Sequence, residues 1–396
     1  MEFVFTKKAK LIFSIFMIIG LIAMVYGYST DHSDHHNRFW ANIFVNGFFY
    51  FAISLGMLFF LALQYATEAS YMVVLKRVIE AISQFIFVGA IILILFFLAG
   101  SLHFHHIYHW MDPDVYDINS ESYDAIIAGK SAYLNQPFFW IRTLVYLGVW
   151  CWFAHRFRKR SLLEDKEGGV KIHFKNMAIG ATFLVFFAVT SSTSAWDWIM
   201  SIDTHWFSTL FGWYVFSGMW VSAMIFLVLF VIYLKGKGYL PEVNQSHIHD
   251  VGKWMFAISF LWTYLWFSQF MLIWYSNIPE EVTYYIDRIE HYKWLFFGVF
   301  FTNFLFPMVI LMARDAKRQI GYLIVVGCVI FIGHWFDVFL MVTPGSVGHL
   351  EFGFGEIGMF IGFLGLFLFV VFRSLAKAPM MVKNHPFLEE SKHLHI

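Results

Sequence analysis

Asp197, Asp203 and His205 sit in one stretch, Ser194 to Gly218, that lies between two long apolar runs and also carries Trp196, Trp198, Trp206 and Trp213. Acids and an imidazole in such surroundings serve two kinds of chemistry: they hold a charge partner, or they pass a proton. The same types recur elsewhere. His334 and Asp337 are spaced i, i+3 in a later apolar run, so a helix puts them on one face. Glu356 lies about one turn inside the last apolar run, and Glu80 and Gln84 are spaced i, i+4 near the start of the third. Thr190, Ser191, Ser192, Thr193 and Ser194 form a run of hydroxyls just ahead of Asp197. The candidate proton pathway is therefore Asp197, His334, Asp337, Glu356, Glu80, Gln84, Ser191, Ser192 and Thr193. Asp203, His205 and Trp206 fall in a short polar turn and are candidates for docking a partner.

Each feature also has a plainer reading, and these stay open. Hydroxyls back-bond to helix carbonyls and let helices pack closely. Lys76 is one turn before Glu80 and could form an ion pair with it. Asp203 and Thr204 could simply cap a helix start. Ser259, Thr263, Gln269 and Asn303 could bridge the middle of the membrane or only pack there. The clusters His32, His35, His36 and His103, His105, His106, His109 read as solvated or partner-contact residues, with metal chelation the alternative. His334 is the only histidine well inside an apolar run, so a haem with two axial ligands is not expected. Cys151 and Cys328 form no Cys-x-x-Cys pattern. No phosphate loop, nucleophile–base pair or His-Glu-x-x-His motif is present. No metal or cofactor bound by this chain alone is expected.

These side chains need elements to hold them. The chain has 396 residues, 59% apolar and only 14% charged, against about 25% charged in soluble domains. Phe alone occurs 50 times. That much apolar surface belongs in lipid. The fold class is an all-α polytopic membrane protein, because lipid cannot satisfy stray backbone groups. Spans of roughly 20 apolar residues fall at about 9–28, 40–65, 78–100, 134–156, 174–198, 207–234, 252–276, 292–312, 319–341 and 352–374. The first is read as a retained helix, and residues 1–396 as a single integral membrane domain.

Lys and Arg fix the expected orientation. With a cytoplasmic N-terminus and ten spans, only Arg38, Lys130, Arg142, Arg288 and Lys293 fall on the outer side. The outer segments are acidic instead, with Asp112, Asp114, Asp117, Glu121 and Asp124 in the longest, and Glu280, Glu281, Asp287 and Glu290 before the eighth span. Trp206, Trp274, Tyr284 and Tyr285 are expected as interfacial belt residues. The net formal charge of zero carries no nucleic-acid footprint.

The run Asp197-Trp198-Ile199-Met200-Ser201-Ile202-Asp203, with His205-Trp206-Phe207-Ser208-Thr209 and Phe211-Gly212, resembles a signature of the NrfD-like or polysulfide-reductase-type membrane subunits of bacterial alternative complex III. It is most like the second, ActF-type, of the two such subunits. The stretch from Glu356 to Phe367 is the second match, and span number and orientation agree along the whole chain. The resemblance implies two four-helix bundles plus two flanking helices. It implies a respiratory quinol:cytochrome c or oxidase-linked complex in the bacterial cytoplasmic membrane, with both termini cytoplasmic. The partners it implies are a paralogous NrfD-like subunit, a periplasmic iron–sulfur subunit, multihaem cytochrome c subunits, lipid and a terminal oxidase. Haem c and iron–sulfur clusters would lie in those partners. A quinone stays open as a ligand, since quinol binding is usually credited to the paralogue. On this reading the chain supplies a proton half-channel and a docking surface and is no enzyme by itself. The alternatives are a secondary transporter or a purely structural anchor.

Overall fold

The computed structural model describes residues 2–395. They are 78% helical with no strands. Ten helices are long and apolar enough to cross a membrane, so the protein is a multi-pass membrane protein. We label them α1 (Lys7–Thr30), α2 (Asn37–Ala66), α3 (Val73–Ser101), α4 (Gln136–Glu167), α5 (Val170–Trp198), α6 (Phe211–Gly236), α7 (Gln245–Ser276), α8 (Lys293–Leu311), α9 (Ile320–Val347) and α10 (Phe354–Leu375).

Packing sorts them as expected. α2, α3, α4 and α5 form one ring of neighbours, and α6, α7, α8 and α9 form another. The rings meet through α2, which touches α6 and α9, and through α5 against α6. α2 and α6 are accordingly the most enclosed helices. Trp335 on α9 donates across this seam to Asn46 Oδ1 on α2 at 2.9 Å. Both termini lie on one face, where Glu2 bridges to Pro379. We call this the terminal face and the opposite one the far face.

α1 and α10 flank the rings and pair with each other. Lipid gives two apolar helices no hydrophobic reason to associate, so they rely on close packing. A Cβ on Gly20 would lie 2.5 Å from the Cα of Gly362, and one on Gly358 would lie 2.4 Å from Ala23 Cβ. The backbones thus touch along a stripe of small residues. Gly362→Leu is expected to cost about 1–3 kcal/mol through overpacking and to free α1 for proteolysis. Thermal unfolding and limited digestion of the purified protein check this; unchanged protection of α1 would refute it.

Several helices run past their expected ends for reasons seen in the side chains. α4 continues to Glu167, well beyond 156, because its last turns carry charges that find buried partners: Arg158 with Glu80, and Glu164 with Lys76. α7 starts at Gln245, ahead of 252, on a capping box in which Asn244 accepts from Ser246 and His247 amides. α3 is broken. Lys76–Ser83 and Ile86–Ser101 are separate helices, with Gln84 and Phe85 between them. α8 contains a π-helical turn, Phe301–Leu305, just before Pro307. Proline lacks the amide that the preceding turn would use, and a widened turn accommodates it.

Residues 279–291 fall between the seventh and eighth expected spans. They form a helix, Pro279–His291, whose Tyr284, Tyr285 and Arg288 are buried. Its start signals are legible in hindsight: Pro279 at the first turn followed by Glu280 and Glu281. The long segment after α3 is also ordered. It caps the far end of the first ring with buried Tyr108, Trp110 and Met111, and Tyr108 OH donates to Trp198 O at 2.6 Å.

Candidate functional site

The far half of the molecule holds three arginine–carboxylate clamps. Arg142 on α4 donates to both oxygens of Asp197 at 2.8 and 2.9 Å, and Tyr146 OH donates to Asp197 at 3.2 Å. The Arg142 guanidinium also stacks on Tyr133 and Phe138. Arg38 donates to Glu356 at 2.9 and 3.1 Å, joined by Asn42 at 2.9 Å and the Gly353 amide at 2.8 Å. Arg288 donates to Asp203 at 3.2 Å and to the carbonyl of Leu340 at 3.0 Å. Thus Asp197 is fully buried, and its charge is matched by a fixed cation. Glu356 is equally satisfied. Breaking such a pair is costly, so these clamps tie their helices together.

Asp337 differs. It is 2% exposed, and among the described residues it is the buried spanning acid with no Lys or Arg partner. Tyr214 OH on α6 donates to its Oδ1, and Trp262 Nε1 on α7 donates to its Oδ2 at 2.9 Å. Both donors are neutral. Beside them lies His334, whose Nδ1 is 3.8 Å from Oδ2. His334 is 1% exposed, and both its ring nitrogens lack a hydrogen-bond partner. Its ring meets Trp262 edge-on at 5.1 Å. Against the adjacent Gly333 packs Asn303 from the π turn of α8; a Cβ there would lie 2.0 Å from Asn303 Oδ1. Asn303 is buried, and its amide nitrogen is also unpartnered. A π turn often marks a functional site. Here it brings a further unsatisfied polar group against Gly333, the residue before His334.

Aromatic side chains lead from this pair toward the far face. Tyr214, bonded to Asp337, and Tyr284 both pack against Phe211, with ring centroids 5.8 and 6.5 Å from it. Burial pushes the Tyr284 phenol up to about 12, although Arg288 pulls it down. Tyr284 and Asp203 then line an open cleft of about 690 Å³. Asp112, Asp124, Glu280 and Asp287 line it too, with His205 and Trp206. The three docking candidates, Asp203, His205 and Trp206, therefore meet in one acidic cleft. His205 Nε2 lies 2.6 Å from Asp124 Oδ2. Burial opposes charge on Asp124, but the Ile127 amide and His205 outweigh it and hold the carboxyl below its usual value.

Glu280→Gln with Asp287→Asn is expected to weaken binding of a lysine-rich peptide to the cleft about tenfold at low salt, with the difference fading as salt rises. Fluorescence anisotropy on the chain in nanodiscs measures it, and equal affinity of mutant and wild type would count against an electrostatic docking role.

Other candidates part company. Trp206, Tyr284 and Tyr285 are buried rather than lipid-facing; Trp206 stacks on Tyr284 at 4.0 Å, while Trp274 is exposed. The hydroxyls mostly serve packing. Thr193 and Ser194 donate back to their own helix, and Ser192 lies against Gly212. Ser191 supplies its carbonyl to Ser194. Ser259 and Thr263 also back-bond, and Gln269 donates to Tyr285 OH at 3.1 Å. At the terminal face Lys76 pairs with Glu164 at 2.6 Å rather than with Glu80. Glu80 sits between Arg77 and Arg158, each at 2.7 Å. Its Oε1 and the Gln84 amide nitrogen stay buried without partners at the break in α3. The structure places this pair near the terminal face and Asp337 in the far half, on different rings, with no polar file joining them among the described hydrogen bonds.

The histidine clusters were expected to be solvated. His105 is instead 2% exposed and stacked on Phe96 at 4.7 Å, and burial pulls its pKa down to about 4. His35 and His106 bring the two clusters together, with ring centroids 3.9 Å apart. Residues the sequence did not single out as site members are Tyr214, Trp262, Tyr284 and Arg288. Tyr214 lay inside the quoted signature; Trp262 carried no signal beyond being an aromatic in an apolar run. No family model matches the chain, and no curated protein matches it.

Proposed function

We propose that this chain is the proton-handling, partner-docking membrane subunit of a respiratory quinol-oxidising complex. The observation that carries the reading is Asp337, a buried carboxylate with neutral donors only, beside an imidazole with two free nitrogens. Protons would pass between this pair and the far-face cleft through Tyr214 and Tyr284. The acid-lined cleft suits a basic redox partner at the same mouth, so docking and proton release would share one surface. Concentration of Lys and Arg on the terminal face supports a cytoplasmic location for both termini in a bacterial inner membrane. The resemblance of residues 197–212 and 356–367 supplies the respiratory context. Quinol oxidation itself is assigned to the paralogous subunit.

Mild solubilisation of native membranes and affinity capture of the tagged chain tests this assignment. The expected result is co-purification of c-type haem, iron–sulfur clusters and a second ten-span subunit in fixed ratio. A chain that purifies without any redox centre, and that moves a solute when reconstituted alone, would replace this reading with that of a transporter.

A further inference from the structure

Glu164, His173 and His385 meet at the terminal face, all three buried, with one ligand atom from each within 4.8 Å of the others. The chain builds this place deliberately from three segments. α4 and α5 are joined by Gly168 and Gly169, both at positive φ (67° and 87°), a conformation other residues resist. That tight connection sets Glu164, in the last turn of α4, opposite His173, in the first turn of α5. His385 arrives from the tail after α10. Asp165 fastens the tail there: its carboxylate accepts from the Lys383 amide at 2.8 Å and its carbonyl from the Asn384 side chain at 3.0 Å.

Two of these residues keep a buried atom with a free valence. Glu164 uses Oε2 on Lys76, and its Oε1 is buried with no partner. His173 Nε2 faces Glu68 Oε1 at 3.3 Å, and its Nδ1 is buried with no partner. A carboxylate behind one imidazole nitrogen, leaving the other free, is the arrangement that orients metal-binding histidines. His173 and His385 also line a cavity of about 20 Å³, enough for one water-sized occupant.

We propose that Glu164 Oε1, His173 Nδ1 and His385 bind a single zinc-type divalent transition-metal ion that pins the tail to the α4–α5 connection. Two imidazoles and one carboxylate suit zinc and its neighbours, not calcium or magnesium. Metal–ligand bonds of about 2.0–2.1 Å set tetrahedral ligand atoms about 3.3 Å apart. Ligand atoms within 4.8 Å of one another therefore draw together on binding. His385, on the tail, is the ligand that moves, exchanging its 3.2 Å contact with the Phe387 amide for the metal bond. The inference does not depend on any respiratory role.

The test uses the full chain in detergent, stripped with EDTA, with His35, His103 and His106 changed to Gln to remove far-face imidazoles. Cobalt(II) titration is expected to give one equivalent per chain with the intense visible bands of a four-coordinate site, displaced by equimolar zinc. H173Q and H385Q should each weaken uptake at least about a hundredfold. Metal should also slow protease cleavage of the tail in the parent and not in H385Q. Uptake below a tenth of an equivalent at micromolar cobalt, or uptake unchanged in H385Q, overturns the proposal. Should the variants fail to fold, X-ray absorption of the zinc-loaded parent decides: two imidazoles support the site, and fewer overturn it.

Discussion

Asp337→Asn is expected to leave the complex assembled and to lower proton release per electron by at least about tenfold, below the roughly hundredfold or more that a positioned acid–base group contributes to a rate. Asparagine keeps the shape and still accepts from Tyr214 or Trp262. It removes the one buried spanning carboxylate, among the described residues, that no Lys or Arg matches. His334→Gln should behave alike, since the His334 ring lies 3.8 Å from the Asp337 carboxylate. Glu356→Gln is the contrasting control, because Arg38, Asn42 and the Gly353 amide hold that carboxylate in place. It should affect stability more than proton release. Turnover with pH-sensitive dye in proteoliposomes reads all three. Equal loss in Asp337→Asn and Glu356→Gln would show that the variants act through general damage.

The largest expected effect on stability is at Arg142. Arg142→Met leaves Asp197 buried without its guanidinium, and breaking such a pair costs about 3–5 kcal/mol. Arg142 is 10% exposed and Asp197 not at all, whereas Arg38 is 24% exposed. The loss should therefore exceed that of Arg38→Met, where water reaches the stranded acid. Adding Asp197→Leu to Arg142→Met should recover much of the stability, because it removes the stranded charge. Thermal unfolding of the four proteins checks the order. A double variant no better than Arg142→Met would mean that the charge is not what the arginine balances.

How much of this was legible in the sequence follows from what each signal is made of. Apolar run length registers the hydrocarbon thickness, so all ten spans lay where expected, with the rings of four arranged as the resemblance implied. It says nothing of ends held by buried charges, which is why α4 and α7 proved longer. Helical spacing correctly put His334 and Asp337 side by side. It could not distinguish Asp337 from Asp197 and Glu356, because the difference lies in what other helices bring: Arg142 and Arg38 to the latter two, only Tyr214 and Trp262 to Asp337. The ion pair expected within α3 failed for the same reason. Lys76 found Glu164 across the helix gap, and Arg77 took Glu80. Three of the belt aromatics, Trp206, Tyr284 and Tyr285, turned inward because residues 279–291 form a helix that packs them beneath itself. The meeting of Glu164, His173 and His385 depends on a tail folding back more than two hundred residues later in the chain, which no local pattern encodes.

The central claim is that the His334–Asp337 pair carries a proton that comes and goes while the arginine-clamped acids do not. Infrared difference spectroscopy during a pH step, on the wild-type chain and on Asp337→Asn, tests it most directly. The account predicts a carboxylic-acid carbonyl band in the wild type, sensitive to deuterium, that vanishes in Asp337→Asn and survives in Glu356→Gln. A band that persists in Asp337→Asn, or one that disappears with Glu356→Gln instead, would contradict it.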